Sequence, residues 1–167
     1  LETSGKKLRR IFVEKTMINS QINLNYPQIQ MLPKKMKELR VKIIHNLYQY
    51  DFYQNELEDN NHNIKENIFL LDKLIDNIVL IDKIIQKNLY DYTLDRLNKV
   101  DKAIIRLATF ELIEKKLSHK IIINEAIELT KKYSSLNDNK QYKFNNKLLQ
   151  LIYEDIESNE YKNELLK

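Results

Sequence analysis

The chain has 167 residues and a formal charge of +4, with 43% apolar and 31% charged residues, one Gly, two Pro and no Cys. That length suits one ordinary domain or two small packed lobes. The single glycine, Gly5, excludes Gly-rich phosphate loops and dinucleotide fingerprints and leaves too few tight turns for a β-sandwich or a doubly wound sheet. Without Cys there are no disulfides, thiolate metal sites or Cys nucleophiles, which fits a reducing compartment. No apolar run approaches the roughly 18 residues of a membrane span, and 1–20 lacks the apolar stretch of a signal peptide, so a cytoplasmic location without a membrane partner is expected. Charge is unevenly placed. Residues 1–50 hold ten Lys/Arg against three Asp/Glu, and residues 51–167 hold eighteen against twenty-one. A basic N-terminal third on a mildly acidic body is either the mark of a polyanion partner at one end or a solvated basic arm of no special role.

Residues 1–33 read as a basic and polar extension. Ser4 is placed to cap a short helix with Leu8, Ile11 and Phe12 on one side, and the Asn/Gln-rich stretch from Asn19 to Pro33 reads as a flexible or extended leader. Pro33 suits the first turn of a helix, and Leu39, Ile43, Leu47 and Tyr50 then recur on one helical face up to about Gln54. Lys34, Lys35, Lys37, Arg40 and Lys42 crowd the first turns of that helix. Cations there oppose the helix dipole, at roughly a few tenths of a kcal/mol each, so an external anion explains them better than local stability does.

Residues 55–63 form a polar break. From Ile64 to about Lys87 the pattern predicts one long helix, with Ile64, Ile68, Leu71, Ile75, Ile78 and Ile85 inward and Asp72, Lys73, Asp76 and Lys83 outward. Thr93 is a good N-cap for a short turn through Leu97. A strongly apolar helix follows from about Val100 to Lys115, Ser118-His119 breaks it, and Ile121–Tyr133 is the next helix. After a loop at 134–139, a last helix runs from about Gln141 to Ile156 with Phe144, Leu148, Leu151 and Ile152 inward, and the tail from 158 to 167 frays. Every periodic segment has the helical period, so the fold class is all-α, with six or seven helices and no internal repeat. His45, His62 and His119 show no metal-ligand spacing, and no nucleophile–base set is visible, so neither a cofactor nor an enzymatic activity is expected.

Three blocks in order carry a resemblance: YTLDRLNKVDKAIIRLATFEL at 92–112, KIIINEAIELTKKY at 120–133 and YKFNNKLL at 142–149. With the opening helix RVKIIHNLYQYD at 40–51, they resemble the NusB family of transcription antitermination factors, over residues 34–157. Two departures from the family pattern stand out. Its Arg-rich opening is here diluted to Lys34, Lys35, Lys37 and Arg40, and the Val and Gly of its K-F-V-N-G block are Asn145 and Lys147. The resemblance implies two small packed helical bundles with no catalytic centre. It also implies partners: the small ribosomal protein NusE, the single-stranded boxA element of ribosomal RNA leaders, and through these the elongating RNA polymerase.

On that resemblance Lys34, Lys35, Lys37 and Arg40 are expected to neutralise phosphates, and Tyr48, Lys143 and Phe144 to hold bases and backbone. Phe144, one turn from Leu148, is either a stacking platform or a core ring; Tyr48 lies off the apolar line, which favours partial exposure. Arg106, on an apolar helix, calls for an inter-helix ion pair. Asp101 suits a helix first turn and in the resemblance lies at the edge of the RNA or protein interface. Asn124 and Glu125 are expected to tie helix starts together, and Asn146 is either structural or RNA-facing. Two other readings remain: the N-terminal RNA-binding domain of an RsmB-type ribosomal RNA methyltransferase, or a helical scaffold that has lost RNA binding.

Overall fold

The structure, a computed structural model, describes residues 33–54, 69–134 and 139–165. The predicted Ser4 helix and leader, the polar break, the predicted turn at Ile64–Ile68 and most of the 134–139 loop lie outside the described residues. Among the described residues the fold is all-helical: α1 (Pro33–Gln54), α2 (Phe69–Asp76), α3 (Ile78–Lys87), a 3₁₀ turn (Leu94–Arg96), α4 (Lys99–Glu114), α5 (His119–Tyr133), α6 (Lys140–Ser158) and a second 3₁₀ turn (Tyr161–Glu164).

α4 is the axis of the molecule. Every residue from Asp101 to Phe110 is buried, and α1, α3, α5 and α6 all pack on this helix. The two helical groups, α1–α3 and α5–α6, thus share one continuous apolar core through α4, including Ile43, Leu47, Leu74, Ile85, Ile104, Phe110, Leu149 and Ile152. Asn98 starts α4 by accepting the Asp101 backbone N–H at 2.9 Å. The helix ends at Lys115, which turns left-handed at φ 55°. Glycine usually takes that position, because a Cβ makes it costly. With its one glycine at position 5, the chain assigns the turn to a lysine.

A helix surrounded on all sides should be apolar throughout, yet α4 carries charges in its buried stretch. Each has a partner on another element. Arg106 donates to Asp82 of α3 at 2.7 and 2.8 Å and to Asp51 of α1 at 3.2 Å, the inter-helix ion pair expected of it. Lys102 reaches Asp51 at 2.7 Å. Glu111 takes Arg40 of α1, and Glu114 takes Lys73 of α2 at 3.4 Å and Lys116 at 2.7 Å. A buried charge without a partner costs several kcal/mol, so these pairs bind α4 to particular neighbours in a particular register.

Three elements differ from the sequence reading. The long helix predicted to Lys87 is broken at Asn77. The Asn77 N–H bonds three residues back to Leu74 O at 3.1 Å, and its side-chain amide donates to Lys73 O at 2.8 Å. A short polar side chain that competes for backbone carbonyls in this way interrupts the ladder, and apolar periodicity does not register it. Thr93 precedes the first 3₁₀ turn as expected, but its side chain makes no capping bond; Gln86 Oε1 accepts the Leu94 N–H instead, at 2.9 Å. Finally, α6 continues two residues past its expected end, to Ser158, and Tyr161 of the second 3₁₀ turn and Leu165 after it pack against the core. The Tyr161 hydroxyl also lies 3.2 Å from Lys87 Nζ.

Candidate nucleic-acid interface

The buried stripe of α1 is Arg40, Ile43, Ile44, Leu47 and Asp51: it keeps Ile43 and Leu47 of the predicted line and extends to the side of Arg40, Ile44 and Asp51, with Leu39 half-buried at its edge. This placement decides which cations face solvent. Lys34, Lys35 and Lys37 are exposed, and the first turn of α1 contains no acidic residue; Glu38 follows Lys37. Lys37 keeps 60% of its side chain in water and approaches Glu125 of α5 at 3.8 Å. Tyr48 presents an exposed ring.

Arg40 does not join them. It is only 3% exposed, and its Nε lies 3.2 Å from both Glu111 carboxylate oxygens, with Nη2 at 3.0 Å. Glu125 stands 3.9 Å from Nη1. Its expected phosphate role therefore gives way to a buried inter-helix pair. The spacing 40, 43, 44, 47 carried the signal, since it puts Arg40 on the face of three residues that are buried. Burial pushes the Glu111 carboxyl above the usual range, against the pull of Arg40. Glu125 links α5 to α1, as expected of a residue that ties helices together.

On α6 neighbouring residues divide cleanly. Lys143, Phe144, Asn146 and Lys147 are exposed, while Asn145 is fully buried. The Phe144 ring, 39% exposed, leans on Tyr92 with centroids 5.9 Å apart and planes at 58°. The Arg96 guanidinium covers Tyr92 at 4.8 Å, and Lys131 covers Tyr142 at 4.8 Å. This ring-and-cation surface includes Tyr92 and Arg96, to which the sequence reading assigned no role although both lie in the 92–112 block.

Beneath it lies a polar knot. Asn145 Nδ2 donates to Asp101 Oδ1 at 2.8 Å and to Thr130 Oγ1 at 3.1 Å, Ser134 Oγ donates to Asp101 Oδ2 at 2.9 Å, and the Asn98 amide also meets Asp101. Asp101 is completely buried, so the expectation that it edges an interface is corrected. Its carboxylate holds the start of α4, the end of α5 and the first turns of α6 together. Burial pushes this carboxyl up, more than its donors pull it down.

The cations and rings form two clusters. α1 runs antiparallel to α4 and places its basic turns near Glu111, whereas Phe144 lies one residue from Asn145, which binds Asp101. Ten residues of α4 separate those levels, about 15 Å at the helical rise. Among the described residues no cluster of His, Asp and Glu could hold a metal; His119 stacks on Tyr153 at 3.8 Å, and His62 lies outside them. No described helix is long and apolar enough to cross a membrane.

The family model described as "NusB family" matches residues 27–154. "Transcription antitermination protein NusB" of Staphylococcus aureus (strain MRSA252) is 33% identical over 127 residues, 70% of this chain and 96% of that protein. The protein of the same name from Sulfurovum sp. (strain NBC37-1) is 36% identical over 126 residues, 69% of this chain and 95% of its own. The solved structure of T. maritima NusB superposes with a TM-score of 0.60 at 28% identity, over 77% of this chain and 96% of that one. Ordered sequence blocks, helical architecture and full-length relatives agree, and the chain belongs to the NusB family of non-catalytic transcription antitermination factors.

Proposed function

We propose that this protein binds a boxA-like single-stranded RNA in the leader of ribosomal RNA transcripts. It does so together with the ribosomal protein NusE, in the cytoplasm, and the complex joins elongating RNA polymerase to suppress premature termination. The observation that carries this reading is the pairing of an exposed ring, Phe144, with an adjacent exposed cation, Lys143, on a helix anchored by the buried Asn145. A base stacks on the ring and a phosphate meets the ammonium. Lys34, Lys35 and Lys37 add phosphate contacts at the other end of α4, Asn146 lies on the α6 side, and the exposed Tyr48 offers a second ring. A single strand that touches both ends must cover at least about 15 Å, the separation of their levels along α4.

Fluorescence anisotropy with a labelled boxA-like RNA, with and without NusE, tests the reading. The protein alone should bind weakly, NusE should tighten binding, and affinity should fall steeply with salt. Phe144→Ala should weaken binding roughly tenfold, the scale of one lost stacking contact. Absence of binding even with NusE, or binding indifferent to salt, would overturn the proposal.

A further inference from the structure

The arginines among the described residues fall into two kinds. Arg40 and Arg106 are buried and held by carboxylates. Arg96 is exposed, and among the described residues its guanidinium meets the Tyr92 ring rather than a carboxylate. The neighbouring Asp95 is turned toward Lys102, 3.5 Å away. In a chain where Lys far outnumbers Arg, a guanidinium held on a ring at the surface stands out.

The mounting is rigid. The Tyr92 hydroxyl donates to the backbone carbonyl of Arg96 at 2.9 Å, which closes the turn beneath the side chain. Gln86 accepts the Leu94 N–H at the start of the same turn. Tyr92 also touches Phe144, so the rings link the 3₁₀ turn to α6. Arg96, Tyr92 and Phe144 thus follow one another in contact as cation, ring and ring, and the exposed Lys143 precedes Phe144 on α6.

We propose that Arg96 is a phosphate-binding residue of the RNA surface, and that Tyr92 is the positioning residue that holds Arg96 and Phe144 as one platform. This rests on the RNA-binding reading above and extends it from α6 to the Leu94–Arg96 turn. A guanidinium held over a ring, with no carboxylate on it among the described residues, has N–H donors available for two-point binding of a phosphate, which an ammonium cannot reproduce. Exposed cations close to an exposed ring suit the alternation of phosphates and bases in a single strand. A protein carboxylate would need one cation and would leave the ring without a role.

The test measures binding of the labelled boxA-like RNA by the full chain across a salt series, with and without NusE. Arg96→Ala should weaken binding about tenfold and reduce the salt slope by about 0.7, one single-strand phosphate contact. Its melting temperature should match that of the parent, since the side chain is exposed. Arg96→Lys should restore the slope but not the full affinity. Tyr92→Leu should weaken binding, and Arg96→Ala added to Tyr92→Leu should cost far less than it does alone. That loss of additivity separates positioning from general destabilisation.

Parent-like affinity and slope in Arg96→Ala would overturn the proposal. So would a loss confined to the NusE-dependent gain with an unchanged slope, which would make Arg96 a protein-docking residue. Full additivity of the two substitutions would remove Tyr92 from its positioning role. A parent protein that binds no RNA under any condition would instead overturn the underlying RNA reading.

Discussion

At the scale of single residues, chemically similar cations have opposite roles. Lys34 and Lys35 stand in water, and Arg40, fewer than two turns on, is closed over Glu111. Removing Arg40 would leave a buried carboxylate without its partner. Arg40→Ala should therefore cost about 3–5 kcal/mol in urea unfolding. Lys34→Glu and Lys35→Glu should change stability by no more than about 0.5 kcal/mol. If Arg40→Ala proved as mild as the lysine variants, the pair would not be structural. Arg40 was assigned to RNA because its type and position suit a basic opening helix, and residue type does not reveal which way a side chain faces. Burial does, and burial depends on which side of α1 meets α4.

At the scale of elements, helix ends decide more than helix interiors. α4, α5 and α6 meet where Asn98, Asp101, Ser134 and Asn145 join hands. Asn98 caps α4, and its amide extends to Ser134 at 3.4 Å. Asn98→Ala should destabilise the protein by about 1 kcal/mol, the usual cost of losing an N-cap, seen as a lower urea midpoint with an unchanged slope. Because the knot lies directly under Lys143 and Phe144, the same variant should also weaken RNA binding. The break at Asn77 belongs to this scale as well. An apolar pattern is continuous across it, and the Asn77 bonds to the Leu74 and Lys73 carbonyls mark where one helix becomes two.

At the scale of the whole molecule, ion pairs connect elements far apart in the chain. Asp155 of α6 accepts from Lys87 Nζ at 2.7 Å and from Asn88 Nδ2 at 2.9 Å, and the Tyr161 hydroxyl adds a longer contact. Burial raises the Asp155 carboxyl, but the donors, Lys87 first, outweigh it and hold the group below its ordinary value of 3.8. A carboxyl depressed in the folded state stabilises above its unfolded pKa, and that stability is lost as pH falls through the folded value. Asp155→Asn should thus be less stable than the parent at neutral pH, with the gap closing below about pH 3.8. Thermal melting of both proteins from pH 7 to 2.5 reads this directly; a gap that widens in acid would contradict it. Asp101 and Glu111 act in the opposite sense. Their carboxyls are raised by burial, so their contribution is greatest in acid and is lost as pH rises through their folded values.

The all-helical class, the order of the main helices and the pairing of Arg106 were legible in the amino-acid sequence. These follow from periodicity and the cost of an unpaired charge, both of them properties of neighbouring residues. The ordered blocks carried the family for the same reason. Tertiary structure alone decided that Asp101 is interior, that Asn145 rather than Asn146 anchors α6, and that Arg96 meets Phe144 through Tyr92. Each of these depends on which helix face meets which neighbour, and such a relation is set by packing between segments tens of residues apart.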